Sequence, residues 1–165
     1  MILIAGLGPA GLERVEGGVR RRLLDPALAV VARTLLHPAA SELAGLRPVQ
    51  SCDDLYESAE DFAEVYRGIA RRVLALAEEG PVAYCVPGSA LVGEQAVALI
   101  REQAATGGIP VELAPGESFL SLVLERAGAD PLERGLQVLD GRSLPDPLLL
   151  HLPTVIAQVD TAVVL

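Results

Sequence analysis

The sequence predicts an α/β fold with a mostly parallel sheet flanked by helices, on three observations. Short aliphatic runs alternate with helix-length amphipathic segments along the chain. Glycine turns fall mainly where an aliphatic run passes into the following helix. The composition is 51% hydrophobic but only 3% aromatic, which suits aliphatic strands buried on both faces under packed helices.

Met1–Ala5 reads as the first buried strand. Leu12–Leu24 has weak helical periodicity, interrupted by Gly17-Gly18, which costs about 1 kcal/mol per glycine relative to alanine inside a helix. Ala27–Ala32 is the second strand, Ala39–Leu43 a short helix with Pro38 in its first turn, and Pro48–Ser51 the third strand. Phe62, Val65, Tyr66, Ile69, Val73, Leu74 and Leu76 recur at three- and four-residue steps, so this stretch is a long amphipathic helix. Ser58 or Asp61 is its cap, and Gly80-Pro81 ends it. Val82–Val86 is the fourth strand, leading through a turn into a helix, and Ile109–Leu113 is the fifth, again followed by a turn and a helix. Leu136–Leu139 and Thr154–Val159 read as later strands, with a Pro- and Leu-rich stretch from Leu144 leading out of the domain.

A length of 165 residues suits one domain. Net charge is −9, lysine is absent, and the one dense basic run is Arg20-Arg21-Arg22, so nucleic-acid binding is not expected. The apolar runs fall short of the ~18 residues of a membrane helix, and no signal peptide is recognisable. The expectation is a soluble, cytoplasmic chain with no membrane association. Cys52 and Cys85 are too few for a disulfide framework, and Cys85 sits in an apolar run as a small buried hydrophobe.

In parallel α/β sheets ligands lie at the carboxyl ends of the strands, which makes three turns the candidate site: Gly6–Gly11, Pro87–Gly93 and Pro115–Ser118. The first contains G-x-G-x-x-G in Gly6, Gly8 and Gly11. A dinucleotide site also needs an uninterrupted helix and an acidic residue after the second strand. That strand runs instead into Ala32-Arg33-Thr34, and Gly17-Gly18 breaks the helix. In the second turn Pro87 fixes φ and Gly88 is free to take positive φ, exposing backbone N–H groups before a helix. The third turn, Pro115-Gly116-Glu117-Ser118, repeats the device.

The catalytic inventory is thin. His37 and His151 are the only histidines, and neither Ser89 nor Ser118 lies in a G-x-S-x-G elbow, so no catalytic residue is assigned and no metal site is expected. Asp53, Asp54, Glu57, Glu60, Asp61 and Glu64 crowd the start of the long helix, where its dipole favours carboxylates.

Taken in order, the three turns resemble those of the tetrapyrrole methylase family. Gly6-Leu7-Gly8-Pro9 looks like its opening G-x-G-P-G turn, Pro87-Gly88-Ser89-Ala90-Leu91-Val92 falls where it carries a G-D-P loop, and Pro115-Gly116-Glu117-Ser118-Phe119 looks like its P-G-x-S turn. The stretches RTLLHPAASEL, YESAEDFAEVYRGIA and YCVPGSALVGE are most similar to methylase-like domains fused ahead of MazG-type nucleotide pyrophosphohydrolases. The resemblance implies the N-terminal domain of that fold over residues 1–150, with 151–165 as a linker strand toward a second domain not in the sequence. It also implies S-adenosylmethionine as cofactor and a small-molecule acceptor such as a tetrapyrrole. Its candidate cofactor contacts are Gly8, Pro9, Pro87, Gly88, Ser89, Leu91, Val92, Ser118 and Phe119. A homodimer and a fused or partner pyrophosphohydrolase are the implied partners. Two departures stand out: Ala10 replaces a glycine, and Ser89-Ala90 stand where the methylases have Asp-Pro. They leave open a non-catalytic ligand-binding or regulatory module beside a fused hydrolase.

Overall fold

A computed structural model of the chain describes residues 1–59, 61–149 and 151–159. Two compact units are present, Met1–Phe119 and Leu120–Leu165. The first is a five-stranded, all-parallel sheet in the order β3-β2-β4-β1-β5, with β1 at Ile2–Gly6, β2 at Ala29–Ala32, β3 at Gln50–Ser51, β4 at Val82–Val86 and β5 at Val111–Ala114. The expected α/β class is the observed one.

Side-chain alternation divides the interior into two cores. Ile2, Ile4, Val31, Val82, Tyr84 and Val86 point to one face, against Val65, Ile69, Ala70 and Val73 of α4 (Phe62–Glu79) and Ala96, Val97, Ile100 and Ala104 of α5 (Gln95–Thr106). Leu3, Ala5, Val30, Ala32, Ala83 and Cys85 point to the other, against Leu12, Val15, Leu23, Ala39, Ala40 and Leu43. Small residues on this second face let α1 (Gly17–Leu23) and α2 (Pro38–Leu46) pack close to the sheet. Cys52 and Cys85 are buried free thiols, and burial pushes the Cys85 thiol up to about 12 and Cys52 to about 11. Neither ionises near neutrality.

Two local expectations need correction. The single helix over Leu12–Leu24 is two pieces, a 3-10 turn at Leu12–Arg14 and then α1. The glycine pair does not interrupt a helix but begins one, because the Glu16 carboxylate accepts from the N–H groups of Gly18 and Val19 at 2.8 Å each. Those two bonds hold the Glu16 carboxyl below its usual range. The acidic stretch is likewise divided: Asp53 and Asp54 open a separate helix, α3 (Asp53–Ser58), while Asp61 is the cap of α4, accepting from Glu64 N at 2.6 Å. Glu60 lies outside the described residues, among which no acidic, Cys or His group is arranged to hold a metal ion.

Arg47, just past α2, donates to the carbonyls of Leu23 at 2.7 Å, Asp25 at 2.5 Å and Leu28. It thereby ties down the connection from α1 into β2. Arg22 reaches Glu112 of β5 through two bonds at 2.5 and 2.9 Å, and Arg20 and Arg21 are exposed, so the basic run is a helix face and an ion pair.

The second unit begins within α6 (Phe119–Ala127) and continues through α7 (Pro131–Arg134) to β6 (Gln137–Asp140) and β7 (Thr154–Ala157). The last two strands do not extend the main sheet but pair in parallel with each other, Gln137 opposite Thr154 through Asp140 opposite Ala157. The linker strand expected over 151–165 is described only to Val159, and Asp160–Leu165 lie outside the described residues. No described helix is long and apolar enough to cross a membrane.

The Asp61 cap gives one test of this arrangement. Asp61→Ala strands an amide at the start of an 18-residue helix and should lower unfolding free energy by about 1 kcal/mol, measured by urea denaturation. Ser58→Ala should change it little, since Ser58 Oγ bonds only back to Asp54 O within α3.

Candidate functional site

The first, fourth and fifth strands end together at the carboxyl edge of the sheet, and their turns meet backbone to backbone. Leu7 N donates to Val86 O at 2.8 Å; Gly8 and Gly88 then exchange both N–H···O bonds, at 2.9 and 2.8 Å, as an isolated antiparallel bridge. The third turn joins through Ala90 N to Pro115 O at 2.8 Å. Gly8, Gly88 and Gly116 take φ of +71°, +63° and +73°, the left-handed region that glycine enters without cost.

Space as well as dihedral demands glycine here. A Cβ on Gly6 would run into Pro115 O, and one on Gly116 would lie 2.5 Å from Gly6 O and 2.7 Å from Gly88 O. Gly88 differs: the nearest atom to its Cβ would be Glu117 O at 3.9 Å, so the bridge is open on that side. Gly11 plays another part. It is buried beside the Glu13 and Glu42 carboxylates, and Glu42 Oε2 accepts from Leu12 N at 3.0 Å. The third glycine of G-x-G-x-x-G therefore starts a 3-10 turn and not the helix N-terminus a pyrophosphate needs.

A cavity of about 360 Å³ lies beside this junction, lined by Gly6, Leu7, Gly8, Val15, Val19 and Gly116 among others. Arg14 at its mouth pairs with Glu117 at 3.0 Å. Of the predicted contact residues, Gly8 lines this cavity, and Gly88 is bonded to it across the bridge. Pro9 and Pro87 are half-buried in the first and second turns. Ser89 is buried, its Oγ accepting from Leu91 N at 3.3 Å, while Leu91 is 60% exposed and Val92 half-buried. Ser118 and Phe119 follow the third turn, Ser118 half-buried and Phe119 exposed. The turns are brought together, but the middle-turn residues from Pro87 to Val92 do not line the cavity beside Gly8.

His37 joins the junction, a role that a lone loop histidine before proline gives no sign of. Its Nε2 lies 3.0 Å from Gly8 O, the same carbonyl that accepts from Gly88 N. A carbonyl only accepts, so Nε2 carries the proton and Nδ1 is the bare nitrogen; Nδ1 is buried and has no partner among the described residues. Desolvation holds the His37 pKa below 6.5, against the opposing pull of the Gly8 bond.

A second polar group sits at the ends of β2 and β4. Arg33 donates from Nε to the Tyr56 hydroxyl at 3.1 Å and from Nη1 to Glu94 at 2.5 Å. The Glu94 side chain is only 5% exposed, and burial raises its pKa against the pull of Arg33.

The model of the family Tetrapyrrole (Corrin/Porphyrin) Methylases matches residues 1–165. The uncharacterized protein YabN of Bacillus subtilis (strain 168) is 33% identical over 160 residues, which is 96% of this chain and 32% of YabN. The chain thus spans about a third of the length of that relative. Among solved structures, uroporphyrin-III-C-methyltransferase from Thermus thermophilus is 25% identical with a TM-score of 0.63, over 88% of this chain and 63% of its own. A uroporphyrin-III C-methyl transferase from the same organism, complexed with S-adenyl homocysteine, is 19% identical with a TM-score of 0.57, over 88% of this chain and 59% of its own. A diphthine synthase reaches a TM-score of 0.64 at 14% identity, over 88% of this chain and 56% of its own, and shares the fold.

Two outcomes test the junction. Gly116→Ala should cost several kcal/mol in stability, combining positive φ with the clash at Gly6 O, whereas Gly45→Ala, in α2 with nothing within 4 Å of its Cβ, should be neutral or stabilise by up to about 1 kcal/mol. The unfolded chain binds a proton at His37 more readily than the folded one, so that stability contribution is complete above pH 6.5 and falls as pH drops below it. In His37→Gln this part of the acid sensitivity should disappear, followed by thermal melts across pH 5 to 8.

Proposed function

Because this chain belongs to the tetrapyrrole (corrin/porphyrin) methylase family, we propose that it is an S-adenosylmethionine-binding, methyltransferase-like domain. The carrying observation is the glycine junction, where the three turns predicted to hold the cofactor interlock beside a cavity of about 360 Å³. The lining fits the group: bare glycine backbone at Gly6, Gly8 and Gly116 admits close approach, and Leu7, Val15 and Val19 offer apolar surface to a thioether or adenine. When bound, S-adenosylmethionine supplies a methyl group already activated on a sulfonium.

What the chain contributes is placement. A methyl transfer requires the acceptor in line and close, with little acid–base assistance, which accords with the sparse catalytic inventory. The three turns, joined by the Gly8–Gly88 bridge and the Ala90–Pro115 bond, form a backbone-bonded wall for the cofactor. Leu91, Val92 and Phe119, outside the lining of that cavity, are the apolar side chains proposed to flank the part of the cofactor that extends beyond it, with Pro9, Pro87, Ser89 and Ser118 shaping the turns. The acceptor is a small molecule of the tetrapyrrole class or another not yet named.

A second reading has one observation in its favour. Where the methylases carry Asp-Pro, this chain has Ser89-Ala90; Ser89 Oγ is occupied by Leu91 N, and Ala90 is buried in the core. No carboxylate is presented from that turn. In this reading the domain binds the cofactor or a related ligand as a regulatory module of a larger protein with a MazG-type pyrophosphohydrolase. Homodimerisation is compatible with either.

Calorimetric titration with S-adenosylhomocysteine tests the cofactor site. Saturable binding supports the methylase reading, and none at all overturns it and leaves the module with another ligand. Methyl loss from bound S-adenosylmethionine in the presence of candidate acceptors then distinguishes enzyme from module. Gly88→Ala adds a methyl where the nearest atom is 3.9 Å away and should weaken binding at least tenfold; its positive φ costs about 1 kcal/mol or more of stability, so circular dichroism and a thermal melt check that the variant is folded. Unchanged affinity would remove the middle turn from the site.

A further inference from the structure

Helices α1 and α2 each return the chain between parallel strands on one face of the sheet, so they run in the same direction. Between them lies an open groove of about 560 Å³, which shares no lining residue with the cavity beside Gly8. Arg20 and Leu24 form one wall, linked by the bond from Leu24 N to Arg20 O that closes α1. Glu42 and Leu46 form the other, about one turn apart along α2. The two walls therefore repeat one pattern, a charge followed four residues later by a leucine, with the sign of the charge reversed.

Neither the charges nor the leucines of this groove are satisfied within the chain. The Arg20 and Glu13 side chains line it, yet among the described residues neither makes a hydrogen bond or an ion pair. The carboxylates of Glu13 and Glu42 converge over Gly11, where only Glu42 Oε2 is engaged, by Leu12 N at 3.0 Å. That end of the groove favours an incoming cation, and Arg20 of the same chain does not supply it. Leu24 is 40% exposed and Leu46 66%. A Cβ on Gly45 would meet nothing within 4 Å, so the groove is open beside Leu46.

We propose that this groove is the contact face for a second copy of the chain, docked about a two-fold axis that runs along the groove. Such an axis preserves the level along the helices and exchanges the walls, so α1 of one protomer faces α2 of its partner. Arg20 then donates to the partner's Glu42 at Oε1, beside the partner's Glu13, and Leu24 packs on the partner's Leu46. Each contact occurs twice. One surface supplies both halves of the match, which is what a self-complementary interface requires. Exposed ion pairs are weak alone, so burial of the four leucines supplies the affinity and the charges set the register. The interface involves neither the glycine junction nor a bound cofactor, and it does not depend on the methyltransferase reading.

Sedimentation equilibrium of this chain over roughly 1 µM to 1 mM, the range of an interface of modest area, should show the mass rising to that of two chains. Arg20→Glu and Glu13→Arg should each weaken the dimer at least tenfold, because each sets like charges opposite one another in both contacts. Mixed in equal amounts, the two variants should restore it, since every reversed charge then meets its opposite. Leu46→Lys should weaken it as much as either. All three positions are exposed, and thermal melts at low concentration check that each variant is folded. A mass that stays at one chain throughout overturns the proposal and leaves the groove to a different partner. A dimer that survives Arg20→Glu and Leu46→Lys places the contact on another face and overturns it too. So does a mixture of the two charge variants that stays dissociated.

Discussion

Everything at the carboxyl edge of the sheet depends on backbone contact among Gly6, Gly88 and Gly116. Parallel strands bring their ends close together, but ordinary side chains would keep the following turns several ångströms apart. Here a Cβ on Gly116 would press on the carbonyls of both Gly6 and Gly88, so the turns close only because none is present. The Gly8–Gly88 bridge then satisfies amides and carbonyls that loops at a sheet end otherwise leave to water. His37 adds a tether from α2, so the first turn is held from the sheet side and from the helix side.

The rest of the first unit serves to hold those strand ends in register. Strict alternation along β1 and β4 sends Ile2, Ile4, Val82 and Tyr84 to one core and Leu3, Ala5, Ala83 and Cys85 to the other. One face carries the larger side chains and the longer helices; the other carries alanines and takes shorter helices at close range. Arg47 complements this by gathering the last carbonyl of α1 and two of the loop before β2, work that the apolar core cannot do. The polar network of Arg33, Tyr56 and Glu94 lies on the other side of β4 from the glycine junction's β1 and β5 turns. Two chemically different groups of residues thus share one sheet edge, and Glu94 directly follows the middle turn.

Much of the fold was legible because it rests on periodicity. The long helix from Phe62, the strands at Val82–Val86 and near Met1–Ala5, and the Pro38 helix start all lie where spacing and turn residues put them. What went astray was local. Gly17-Gly18 reads as a helix break, yet a glutamate side chain acting as cap makes it a helix start, and capping by glutamate has no strong sequence signature. Thr154–Val159 reads as a later strand with no partner indicated, and the described residues pair Thr154–Ala157 with Gln137–Asp140. Strand propensity states that a segment will pair and says nothing about with which strand.

The sequence by itself determined the class of fold, the three glycine turns and the family they resemble, because each is encoded in residues near one another along the chain. Only the tertiary structure decided that Gly11 belongs to a 3-10 turn, that His37 grips Gly8, and that Arg33 meets both Tyr56 and Glu94. Those contacts join residues far apart in the chain, Arg33 to Glu94 across 61 positions and His37 to Gly8 across 29. The packing of strands and helices brings such pairs within hydrogen-bond reach, and no local pattern announces them.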